Sequence, residues 1–117
     1  MGRLHHVNLA VHVGDVEDEV EWLTAGLGLS PLAPPDDMTS VLWFADDDGV
    51  QVHVSVDPDH APAQRAHVAI ELADLGSAKE WLVAAGGNVD ERDFGGNRVV
   101  FCRDPGGNRW ELRSPLP

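Results

Sequence analysis

Asp104-Pro105-Gly106-Gly107-Asn108-Arg109-Trp110-Glu111-Leu112 is the stretch whose reading decides the fold. Proline fixes φ at one turn position and glycine tolerates positive φ, so Pro105-Gly106-Gly107 predicts a turn. The residues after it alternate polar and apolar with the period of a strand. Trp110 and Leu112 point one way, and Arg109, Glu111 and Arg113 the other. One carboxylate is thus displayed between two arginines, in a chain whose acidic residues outnumber its basic ones 20 to 8.

The pattern occurs twice. Val41 to Val54 overlays Val99 to Leu112 without a gap and sets His53 on Glu111. Upstream, His6-Val7-Asn8-Leu9-Ala10-Val11 matches His67-Val68-Ala69-Ile70-Glu71-Leu72, and Glu21-Trp22-Leu23 matches Glu80-Trp81-Leu82. The offset is 61 at the histidines (67 − 6) and 58 at the last strand (111 − 53), so only the middle loop differs in length. Each half reads strand, helix, then three strands. The expectation is an α+β fold of two βαβββ modules, residues 3–56 and 65–114, joined by a linker at 57–64 within one domain.

The local signals agree with this order. Asp15 is placed to cap a first helix whose stripe is Val16, Val20, Leu23 and Leu27, and Asp74 to cap a second that runs to Ala85. Ser30 to Ser40 reads as a loop carrying a short extended piece, and Asp46-Asp47-Asp48-Gly49 as a hairpin turn. Strand period places Val52, Val54 and Val56 toward the core with Gln51, His53 and Ser55 opposite. A short strand around Val89, a Gly95-Gly96 turn, a strand from Arg98 to Cys102 and a last one from Arg109 to Arg113 complete the chain.

At 117 residues with 43% apolar content, the chain can bury one real core. Its net charge of −12 argues against nucleic acid or an anionic membrane surface as partner. The single cysteine, Cys102, precludes an intramolecular disulfide and reads as a buried structural thiol. With neither a signal peptide nor a membrane-length apolar run, the expected location is the cytoplasm.

If each module covers one sheet face with its helix, the other face lines a cleft, and strand parity puts His6, His53, His67 and Glu111 on it. Any one of these histidines alone reads as a solvated strand residue. Together, three imidazoles and a carboxylate are a donor set for a first-row transition metal with positions left open for substrate. His5 has the wrong parity, His12 lies past its strand and His60 is in the linker.

His6-Val7-Asn8-Leu9, Ala66-His67-Val68-Ala69 and the closing Asp104-to-Glu111 motif resemble the vicinal oxygen chelate superfamily, which includes glyoxalase I, extradiol dioxygenases, fosfomycin-resistance enzymes and bleomycin-resistance binding proteins. The likeness covers nearly the whole chain. It implies two βαβββ modules whose mixed sheets form a cup, helices outside, around a divalent ion such as Zn, Ni, Fe or Mn. His6, His67 and Glu111 match its shared ligands. His53 departs from the glutamate usual in glyoxalase I, making the site less anionic and supplying a different base.

The resemblance implies a lyase or isomerase whose metal chelates two adjacent oxygens of a small substrate and stabilises an enolate-type intermediate. Glu111 would fix the ion, and Glu71 or an unligated His53 would act as base. Two alternatives stay open: an extradiol-type iron dioxygenase, and a metal-free binding protein whose cleft is lined by Trp43, Phe44 or Phe94, Trp43 being read preferentially as core. The need to cover sheet edges favours a homodimer.

Overall fold

In a computed structural model the described residues are 1–35 and 41–115, so part of the loop expected at Ser30 to Ser40 lies outside them. The chain divides into two compact units, Met1–Ala61 and Pro62–Pro117. Each contains one four-stranded mixed sheet.

The first unit has strands β1 (His6–Val11), β2 (Ser30–Leu32), β3 (Val41–Ala45) and β4 (Gln51–Val56), in the order β1-β4-β3-β2. The second has β5 (His67–Glu71), β6 (Asp90–Phe94), β7 (Asn97–Arg103) and β8 (Arg109–Arg113), in the order β5-β8-β7-β6. In each sheet the first and last strands pair in parallel and the other pairs are antiparallel. The registers repeat as the sequence offsets require. Asn8 faces His53 as Ala69 faces Glu111, and Trp43 faces His53 as Phe101 faces Glu111.

Helix α1 (Val16–Glu21) follows a 3-10 turn at Val13–Asp15 and widens into a π-helical turn at Trp22–Gly26. Thr24 causes part of that widening: its hydroxyl donates to the Val20 carbonyl (2.7 Å), while Leu27 N–H reaches back five residues to Trp22 O (3.1 Å). Asp15 occupies the N-cap position but its side chain makes no cap bond, contrary to expectation. The preceding 3-10 turn holds its backbone N–H on the His12 carbonyl instead. Within the expected stripe only Leu23 and Leu27 are buried, and Glu19 is fully buried with them.

Helix α2 (Leu75–Ala84) behaves as read. Asp74 accepts from Ser77 N–H (2.9 Å) and from the Ser77 hydroxyl (2.7 Å), and Leu75, Ala78 and Leu82 turn inward. Three strand readings need correction. Val89 lies outside β6, which begins at Asp90; β7 is one residue longer at each end; and Val56, at the end of β4, is exposed because its strand has passed beyond the cover of the core.

The Asp104 carboxylate organises the closing turn. It is buried and accepts from Asn108 N–H (2.8 Å) and from the Trp110 indole N–H (2.9 Å), while Gly107 N–H donates to its carbonyl (2.8 Å). Gly107 has φ +86, and a Cβ there would stand 2.7 Å from Pro62 Cγ. Trp110 and Leu112, both fully buried, anchor β8 in the core and thereby turn Glu111 to the opposite face.

Candidate metal centre

In the first unit the polar sheet face carries a stack of rings. The His53 ring lies between His6, with centroids 4.0 Å apart and planes at 14°, and Trp43, at 4.3 Å and 2°. Trp43 is therefore a face residue, which corrects its reading as core; Phe44, the next residue, points inward and is buried, while Phe94 is exposed. His53 Nε2 donates to Gln51 Oε1 (2.8 Å), which leaves Nδ1 with the lone pair. His5 and His6 meet through their Nδ1 atoms at 2.9 Å.

Burial, then the neighbouring His6 and His5, lower the His53 pKa below its ordinary value of 6.5. His53 is thus held as the neutral imidazole that a metal requires. Because protonation is harder in the folded chain, this group's contribution to stability is complete above pH 6.5 and declines as pH falls from there through the folded value. A His53→Asn variant is expected to show a flatter loss of unfolding free energy below pH 6.5 in urea titrations; an identical slope would contradict the assignment.

In the second unit His67 Nδ1 donates to the Arg65 carbonyl (2.8 Å), which turns Nε2 toward Glu111 Oε1, 3.3 Å away. Two donors bound to one ion at about 2.1 Å, subtending roughly 90 to 110°, stand about 3.0 to 3.4 Å apart. The pair therefore fits adjacent positions around a divalent ion. Arg113 Nη1 is 3.4 Å from Glu111 Oε2, and Arg109 Nη1 shares the Arg65 carbonyl (3.2 Å). Glu71 lies on the same face at the exposed end of β5, opposite Arg113.

The four expected ligands thus occur as two pairs, His6 with His53 and His67 with Glu111. Among the described residues no group of three or more His, Cys, Asp or Glu side chains is gathered for an ion. Cys102 is buried, and burial followed by the Asp104 charge pushes its thiol up to about 12, so it holds its proton at neutral pH and is no nucleophile. Sequence reading missed the contacts of Gln51 and Arg109; only cross-strand register identifies such neighbours.

The family model of the glyoxalase/bleomycin resistance protein/dioxygenase superfamily matches residues 3–112. The chain belongs to this superfamily. A search of curated proteins gives no match. Among solved structures, a protein assigned to the glyoxalase family of Bacillus anthracis is 24% identical, with a TM-score of 0.86 over 99% of this chain and 97% of that one. A glyoxalase/dioxygenase from Nostoc punctiforme is 21% identical, TM-score 0.82, over 98% and 92%. A mutant of the fosfomycin resistance protein FosX from Listeria monocytogenes, complexed with Mn(II) and dihydroxypropylphosphonic acid, is 18% identical, TM-score 0.79, over 98% and 92%. These superfamily structures share the fold of this chain.

Proposed function

We propose that this superfamily member is a metalloenzyme of glyoxalase type, a lyase or isomerase acting on a small substrate with two adjacent oxygens. His6, His53, His67 and Glu111 hold one divalent ion, drawn from Zn, Ni, Fe and Mn, within a single domain built from residues 3–56 and 65–114. The approach of His67 Nε2 to Glu111 Oε1, at 3.3 Å with the ring oriented by the Arg65 carbonyl at Nδ1, carries the reading. The register repeat supports it, since the same rows of the first sheet bear His6 and His53. When bound, the ion supplies Lewis acidity for negative charge developing on the chelating oxygens.

The chain's own residues provide the rest. Arg113 steadies Glu111, and Glu71, two positions past Ala69 on the same face, is the base offered to a substrate proton. The protein works as a cytoplasmic homodimer, with neither nucleic acid nor membrane as partner.

The packing of His53 between two rings, with Nε2 engaged by Gln51, favours a second reading. There His6, His67 and Glu111 alone hold iron as an extradiol-type dioxygenase does, and His53 faces substrate. A third reading, a metal-free binding protein, draws on the Trp43 indole N–H, which has no hydrogen-bond partner among the described residues. Elemental analysis of protein purified without added metal separates them. About one equivalent of metal per chain is expected, and none would leave only the binding protein. Bound iron with oxygen uptake on catechols would select the dioxygenase.

A further inference from the structure

The functional face of the second sheet is basic in an otherwise acidic chain. Of the 8 Lys and Arg residues, Arg92, Arg103, Arg109 and Arg113 share this face through their register with Val99, Phe101 and Glu111. Two have nearby carboxylates: Arg92 binds Asp90 (2.7 Å), and Arg113 lies 3.4 Å from Glu111. The other two do not. Arg103 and Arg109 stand directly opposite each other across β7 and β8, and among the described residues neither forms an ion pair. Like charges so placed repel, a cost that a bound anion would remove.

The two arginines are held differently. Arg103 spends its guanidinium on the carbonyls of Ala63 (2.9 Å), Gly107 (2.8 Å) and Gln64 (3.1 Å), fastening the entry to the second unit against the closing turn. Arg109 engages only Nη1, which donates to the Arg65 carbonyl (3.2 Å) and lies 3.2 Å from His67 Nδ1. Its guanidinium lies over the Phe101 ring, 4.3 Å from the centroid, so its plane is fixed in advance. Its Nε and Nη2 make no hydrogen bond among the described residues and form the side of the fork that a carboxylate or phosphoryl group accepts. Both arginines line an open depression of about 470 Å³ with Phe101 and Asp90, and the Asp90 charge is taken up by Arg92.

We propose that the substrate carries an anionic oxygen group, a carboxylate or a phosphoryl, bound by the Arg109 guanidinium on Phe101 in this depression. The inference rests on the metalloenzyme reading, because Arg109 and the ligand His67 share the Arg65 carbonyl and so place the anion beside the ion.

The test is calorimetric titration of the protein as purified with inorganic phosphate and, separately, with acetate, repeated after chelation and for Arg109→Gln, Arg109→Lys and Arg98→Gln. Saturable binding of at least one anion is expected. It should weaken by about tenfold or more in Arg109→Gln and by less in Arg109→Lys, which keeps the charge but loses the fork. Arg98, on the opposite sheet face and paired with Glu91, should matter little. Preference for phosphate or acetate tells which group is read. No saturable binding, equal binding by Arg109→Gln, or equal weakening by Arg98→Gln would overturn the proposal. Anion binding that survives chelation and depends on Arg109, in a protein that never takes up metal, would uphold this site and remove the metalloenzyme reading. Metal uptake without anion binding would do the reverse.

Discussion

Replacing Asp104 with alanine is expected to destabilise the protein by about 3 to 5 kcal/mol, from two lost hydrogen bonds to a charged, buried acceptor and the loss of the contact that ties Trp110 to the closing turn. The carboxylate is only 4% exposed and holds both the Asn108 N–H and the indole of a fully buried Trp110. Asp104→Asn keeps the shape and one acceptor oxygen, so about half that cost is expected. Urea unfolding followed by tryptophan fluorescence measures both. An unchanged midpoint in Asp104→Ala would show that the turn is held by its backbone alone. Because β8 follows this turn directly, the same variant should also weaken metal uptake, through the position of Glu111 and not its chemistry.

The second large effect is expected at the ion itself. Glu111→Gln preserves volume but removes the charge, and His67→Ala removes a donor. Each should lower metal affinity by about 100-fold or more, since even partners of the ligands are worth 10 to 100-fold. His12→Ala, which lies past the end of β1 with its ring 5.7 Å from His60, should retain full metal content. Circular dichroism confirms folding, and metal content after gel filtration gives the answer. Full occupancy in His67→Ala would remove that residue from the ligands. Loss in His67→Ala and Glu111→Gln with retention in a His53→Asn variant would favour the three-ligand iron reading over the four-ligand one.

Much of this was legible from the order of residues, because a strand's period is two and errors of one position are visible. The parity that put Glu111 opposite Trp110 and Leu112 reappears in the cross-strand rows, Glu111 with Ala69 and Phe101 against Leu112 with Ile70 and Val100, and offsets of 61 and 58 reappear in the register of both sheets. What escaped depends on neighbours that parity does not identify. Trp43 is large and apolar and so reads as core, yet its cross-strand partner is His53, and stacking on that imidazole leaves it half-buried on the sheet face. The π-helical turn is accompanied by a threonine hydroxyl on a backbone carbonyl, which no hydrophobic stripe reveals. The Asp15 side chain lost its cap because a tighter turn had already used the start of the helix.

The parallel pairing of first and last strand in each sheet has a bearing on how the protein is made. On the ribosome, β1 must wait for residues 51–56 and β5 for residues 109–113 before either finds its neighbour. The earlier half can finish while the later one is still emerging, and among the described residues the strand that brings Glu111 follows the other seven. A nascent polypeptide therefore carries His6, His53 and His67 before it has Glu111.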